Sequence, residues 1–168
     1  CPDIITLDMG GTSTDVALIR HGVPGKKDAR EMGGFPVRTR TLDIHTIGAG
    51  GGSLAWIDPG GLLKVGPRSA GSKPGPASYG RGGTLPTATD ANMVLGRLNQ
   101  KALLGGRMPV YPELGRKAIE EHLCGKLAMS LERAAAGVLE ISNVNMMGAV
   151  RVISGEQGED PRRFALMP

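Results

Sequence analysis

Aromatic residues are scarce in this chain: one Trp, two Tyr and two Phe in 168 residues. Nucleic-acid-binding surfaces combine a basic stripe with interleaved aromatics, and neither is present. The 20 basic and 16 acidic residues leave a net charge of +4, scattered along the chain, so no nucleic-acid partner is expected. No apolar run approaches the roughly 20 residues of a membrane span, and no signal-peptide pattern opens the sequence. No membrane partner is expected either. Cysteine is limited to Cys1 and Cys124, which form no CxxC and no ligand cluster. That excludes a disulfide scaffold and suits a reducing, cytoplasmic setting. The first residue is Cys rather than Met, so the chain is expected to be a piece of a longer protein.

What the chain has in excess is glycine: 27 of 168 residues, about twice the roughly 7% norm. The glycines concentrate before residue 107 without a period, which means elaborate loops rather than a repeat. Two halves follow. Residues 1–106 read as short strands joined by Gly/Pro-rich loops, with strands predicted over 4–7, 15–20, 36–42 and 62–65. A short helix is predicted over 90–98, with Thr89 as its cap and Asp90 in its first turn. Residues 107–168 read as helical. Pro112 suits the first turn of a helix running to about Cys124 with Gly125 as its stop. A longer helix spans about 130–154, with Leu131, Ala134, Val138, Ile141, Ala149 and Val152 at helical spacing and Gly158 and Pro161 beyond its end. Met146 and Met147 read as adaptable core filler.

The most informative stretch is Asp8-Met9-Gly10-Gly11-Thr12-Ser13-Thr14-Asp15, set between the apolar runs 4–7 and 16–19. Glycines there allow a sharp turn and leave no Cβ in the way of a ligand. Successive N–H groups in such a turn make an anion-binding concavity. A carboxylate at its mouth suits Mg²⁺, which keeps most of its waters and takes few protein ligands. Together these point to a nucleoside triphosphate; the plainer alternative is a Gly-Gly hairpin decorated by solvated Asp and Thr. It is not a Walker loop, which precedes a helix and ends in Gly-Lys-Ser/Thr.

Thr46-Ile47-Gly48-Ala49-Gly50-Gly51-Gly52-Ser53 is a second glycine turn. Ser53 stands where a dinucleotide fingerprint needs its third glycine, and no helix follows, so a Rossmann site is disfavoured. A phosphate- or substrate-facing turn and a purely structural one both remain open. The long stretch 66–83 mixes Arg, Lys, Ser and Tyr among prolines and suits either a walled pocket or a surface excursion. His45, two residues after Asp43, shares a strand face with it, which makes His45 a candidate catalytic group. His21 and His122 read as solvated.

The hairpin resembles the second phosphate-binding hairpin of the actin-like ATPase superfamily. In order, D-M-G-G-T-S-T-D-V-A-L-I, T-I-G-A-G-G-G-S, V-G-P-R-S-A-G-S-K-P-G-P-A-S-Y-G-R-G-G and T-A-T-D-A-N-M-V-L-G-R-L resemble the hydantoinase A/oxoprolinase family over nearly the whole chain. The resemblance implies an α/β fold, a ribonuclease-H-like, actin-like ATPase lobe fragment with a mixed sheet of short strands followed by a helical segment. It implies ATP and Mg²⁺ as cofactors. Asp8 would hold the metal through water, Gly10, Gly11, Thr12, Ser13 and Thr14 would wrap the phosphates, and Asp15 would lie near the attacking water. Gly50, Gly51, Gly52, Ser53 and Arg81 would belong to substrate or phosphate loops.

The same resemblance implies ATP-dependent opening of a cyclic amide (hydantoin, 5-oxoproline or a related lactam), in an oligomer with a B-type hydantoinase subunit or domain. Within the family the alternative is an ATP-dependent ketone carboxylase subunit; rivals of a different class are a small-molecule kinase or a non-catalytic actin-like module. Two departures bear on substrate: Ser78 stands where the family often has Cys, and Arg68 where it often has an acidic residue. Family members also carry an upstream phosphate hairpin and a later adenosine-binding turn, so this chain resembles a middle segment of the catalytic subunit.

Overall fold

The computed structural model of the chain describes residues 3–168, so Cys1 lies outside the described residues. The strands are β1 (Ile4–Met9), β2 (Thr14–Arg20), β3 (Val23–Pro24), β4 (Lys26–Lys27), β5 (Arg30–Met32), β6 (Phe35–Val37), β7 (Thr41–Leu42), β8 (Ile44–Ile47), β9 (Ser53–Ile57), β10 (Leu63–Ser69), β11 (Ala102–Leu103), β12 (Met108–Pro109) and β13 (Ala165–Met167). The helices are α1 (Ala88–Val94), α2 (Pro112–Ile119), α3 (Gly125–Leu127) and α4 (Leu131–Glu156), with a π-turn over Glu120–Cys124 and single 3₁₀ turns at Ala77–Tyr79 and Pro161–Arg163. The α/β class is as expected, but the order is mixed: α1 precedes β11 and β12, and β13 follows α4.

By internal contacts the chain forms two compact units. Among the described residues the first comprises 3–8, Thr14–Ile47 and Met146–Pro168. Its sheet runs β13-β1-β2-β3, with β8 also pairing β2. β13 lies parallel to β1, and β8 antiparallel to β2 with Asp15 opposite Thr46. The strict alternation of β2 explains its place: Thr14, Val16 and Leu18 are buried while the residues between them are not. Val16 and Leu18 pack with Ile5, Ala149 and Ile153. Each such aliphatic side chain contributes about 1.5–3 kcal/mol when fully buried.

The second unit comprises Met9–Ser13 and Gly48–Asn145. It is built on the β9/β10 hairpin, with α1, α2 and residues 131–145 of α4 supplying Ala91, Val94, Ile119, Ala134, Ala135, Val138 and Leu139 to one core. Ser142, on the buried face of α4, donates to the Val138 carbonyl at 3.0 Å, which satisfies its hydroxyl inside the helix.

Four expectations are corrected. Residues 36–42 do not make one strand; β6 pairs β5 and β7 pairs β4. The cap of α1 is Thr87 rather than Thr89, in a capping box with Asp90, and the helix ends at Val94. Gly125 does not stop the second helix. It keeps right-handed helical geometry, and the chain turns at Ala128, which adopts φ 51°. Met147 is 47% exposed and fills no core among the described residues.

Candidate functional site

Residues 10–13 form the tip of the β1–β2 hairpin. Inside the tip the Gly10 N–H donates to the Ser13 carbonyl at 2.8 Å. The carbonyls of Gly10 and Gly11 accept from the N–H groups of Gly51 and Gly52, at 3.0 and 2.6 Å. None of the described residues accepts from the N–H groups of Gly11, Thr12 or Ser13. The tip therefore has three donors with no described acceptor while the carbonyls of Gly10, Gly11 and Ser13 are occupied, which is the polarity an anion needs.

The glycine turn at 48–53, for which the sequence leaves a ligand-facing and a purely structural role both open, packs against this tip. A Cβ on Gly50 would sit 2.6 Å from the Thr12 nitrogen, one on Gly51 2.8 Å from the Thr89 hydroxyl, and one on Gly52 2.9 Å from the Gly11 oxygen. The glycines are there so that backbone can lie on backbone. Ser53 is buried and its hydroxyl accepts the Gly50 N–H at 2.8 Å, so it shapes the turn. Gly10 and Gly11 are different. A Cβ on Gly11 would meet nothing within 4 Å, and one on Gly10 only an ordinary contact with the Ser13 oxygen. Neither adopts a positive φ. The protein itself gives no reason for glycine at either position; a ligand resting on the tip would.

In the first unit, Thr6 and Asp8 of β1, Asp15 and Ala17 of β2, and Ile44 and Thr46 of β8 line one pocket of about 480 Å³. The Thr46 hydroxyl donates to one oxygen of Asp15. The Thr6 hydroxyl accepts from the Ala17 N–H at 3.2 Å. Asp8, at the tip end of β1, is exposed. Two carboxylates in one pocket, one oriented by a hydroxyl, fit a hydrated divalent cation better than a caged one. Among the described residues no group of three or more His, Cys, Asp or Glu is gathered for a metal. Thr46 was not singled out from the sequence as a site residue; its register opposite Asp15 is the only signal, and that needs the pairing of β8.

Other expected site residues lie elsewhere. Thr14 is fully buried at the start of β2 rather than wrapped around the tip. His45 sits opposite Val16, and strand alternation puts it on the other face from Thr46 and outside the pocket lining. Asp43 does not join it. Its carboxylate is bound by Lys27 at 3.0 Å and by Gln157 at 2.9 Å, and this pairing holds the Lys27 ammonium above its usual pKa. Arg81 is exposed, with no ion pair to any described residue. The stretch 66–83 is not a free excursion. Gly75 to Ser78 are buried, and the Asp90 carboxylate accepts from the N–H groups of Ala77, Ser78 and Thr87 and from the hydroxyls of Ser78 and Thr87.

The fold and the hairpin define a class, and comparison with known proteins agrees. The hydantoinase/oxoprolinase family model matches residues 2–168. Caprolactamase subunit alpha of Pseudomonas jessenii is 43% identical over 98% of this chain, which covers 24% of that protein. A crystal structure of ATP-dependent caprolactamase from the same organism superposes with a TM-score of 0.87 at 42% identity, over 98% of this chain and 24% of the other. The nucleotide-free structure of acetone carboxylase gives 0.86 at 33% identity, over 98% and 23%. The 5-oxoprolinase of Saccharomyces cerevisiae is 37% identical over 92% of this chain and 13% of its own. This chain belongs to the hydantoinase/oxoprolinase family. It spans about a quarter or less of the length of these relatives. Family members are ATP-dependent hydrolases and carboxylases, several of them subunits of larger enzymes.

Proposed function

We propose that this chain is the phosphate-holding part of an ATP-dependent enzyme that opens a cyclic amide, of the hydantoin, 5-oxoproline or lactam type. One observation carries the reading: the hairpin tip, braced from behind by the glycine turn, presents three N–H groups that no described residue accepts from, beside two glycines that the protein's own packing does not require. In this reading Gly10 to Ser13 hold phosphate oxygens. Asp8 carries the Mg²⁺ through water, and Asp15, oriented by Thr46, positions the attacking water or the substrate. Asp8, Gly10 to Ser13 and Asp15 lie on one continuous stretch, 4–20, and Thr46 reaches Asp15 from β8. When bound, Mg·ATP supplies a phosphoryl group for the substrate oxygen. Such transfer depends more on charge neutralisation and positioning than on covalent help from the protein. The relatives named as subunits support a partner subunit; in this reading it is of the B type.

A ketone carboxylase is the second reading, favoured by the superposition on acetone carboxylase. The test uses the full-length parent protein. Substrate-stimulated phosphate release with ring opening supports the amide hydrolase. Release that requires a ketone and bicarbonate moves the assignment to the carboxylase, and accumulation of a phosphorylated product moves it to a kinase. Asp8→Asn keeps the hairpin shape but removes charge from the metal shell, and is expected to lower substrate-stimulated hydrolysis by about 10²-fold or more. Activity within a few-fold of wild type would remove Asp8 from the metal site.

A further inference from the structure

The second unit has a pocket that the nucleotide reading does not use. It measures about 210 Å³ and is lined by Leu54, Trp56, Arg68, Leu85, His122 and Lys126, among others. Its back wall is the indole of Trp56 on β9, held in place because its Nε1–H donates to the Gly66 carbonyl at 2.9 Å. Arg68 lies in the part of β10 where the register shifts between Val65 and Ser69, and its guanidinium stands 5.6 Å from the indole centroid. The opposite wall comes from the π-turn at Glu120–Cys124, which carries His122, and from α3, which carries Lys126. Extra-residue turns of this kind often occur at functional sites, because they re-aim side chains without ending the helix.

The charge around the pocket is one-sided. No carboxylate lines it, and no side chain of Arg68, His122 or Lys126 has an ion pair with or a hydrogen bond to any described residue. Glu121, next to His122 in sequence, faces Lys117 on the helix surface at 3.8 Å. An Arg fork takes a carboxylate bidentately, an ammonium adds a point charge, and an imidazole donates in either protonation state. The indole and Leu85 add an apolar surface beside them. At about 30 Å³ per water the volume holds about seven waters, room for a small molecule and not for a nucleotide.

We infer that this pocket binds a small net-anionic carboxylate with an apolar body. A zwitterion is disfavoured, because its ammonium would meet three cationic or donor groups and no acid. The inference is independent of the phosphate site.

Glutarate, benzoate, 5-aminopentanoate and inorganic phosphate are titrated calorimetrically into the full-length protein without nucleotide, with the indole N–H signal of Trp56, assigned by its loss in Trp56→Phe, followed by NMR. The expected result is saturable binding of glutarate or benzoate that shifts the Trp56 signal. Arg68→Ala and Lys126→Ala should each weaken it at least tenfold, whereas Arg116→Gln, an exposed charge change elsewhere, should not. Three results would each overturn the assignment: binding by phosphate alone, equal binding of 5-aminopentanoate, or affinity unchanged in both pocket variants. Absence of saturable binding by all four probes would overturn it as well.

Discussion

Glycine has two separate jobs here, and only the structure tells them apart. Gly50 has a structural job, since an added Cβ would fall 2.6 Å from a backbone nitrogen that cannot move without shifting the hairpin tip. Gly50→Ala is therefore expected to destabilise by about 1–3 kcal/mol, read as a lower melting temperature with loss of ATP turnover. Gly11 has open space around it. Gly11→Ala should leave the melting temperature unchanged yet raise the KM for ATP, because the methyl group intrudes where phosphate would rest. An unchanged KM would mean that no ligand approaches that atom. At the far end of the chain, the Arg162 guanidinium and backbone N–H beside Asp160 pull its carboxyl down to about 2. A depressed acid stabilises above the ordinary carboxylate range, and that contribution fades as pH falls towards 2. A carbon-detected NMR titration of Asp160 should show a midpoint near 2; one near 4, the usual value, would mean that the Arg162 contact does not form in solution.

Among the elements, those whose pattern is local were legible in the sequence. Alternation in β2 reports burial directly, since one face meets the core; in α4 Ala134, Val138 and Ala149 are buried at the expected spacing, whereas Val152, expected on the same face, is 41% exposed. Elements defined by a distant partner were not. β7 exists because Thr41–Leu42 pairs with Lys26–Lys27, and β13 because its residues run beside β1 about 160 positions earlier. The start of α1 is legible in the sequence: Thr87-Ala88-Thr89-Asp90 is a Thr-x-x-Asp capping box, which places the cap at Thr87. The Thr87 hydroxyl donates to Asp90 and accepts the Asp90 N–H, both buried. Thr87→Ala is expected to cost about 1–2 kcal/mol, and Thr87→Ser to recover most of it. The denaturant midpoint of the full-length protein measures this. Equal loss in both variants would point to the methyl group rather than the cap.

At the scale of the whole molecule, the chain covers 24% of the caprolactamase subunit it resembles. In the proposed reading the nucleotide is held here by the hairpin tip and two carboxylates, which touch its phosphates and metal and not its adenosine. Every tenfold in affinity needs about 1.4 kcal/mol, so a site limited to phosphate contacts is weak. Residues 1–168 alone are expected to bind Mg·ATP no tighter than about millimolar. Calorimetric titration decides it, and micromolar binding would mean that the nucleotide site is complete within this chain.

From the sequence by itself came the α/β class, the glycine hairpin with its flanking Asp8 and Asp15, and the family. All of these are carried by short contiguous strings, in which glycine spacing and alternation are visible without any partner. Tertiary structure decided what the second glycine turn is for, which hydroxyl orients Asp15, that His45 leaves that strand face, and that Asp90 ties down the stretch 66–83. The physical reason is common to all four. Each depends on a contact between segments brought together by pairing or packing, and no local residue pattern records the identity of a distant neighbour.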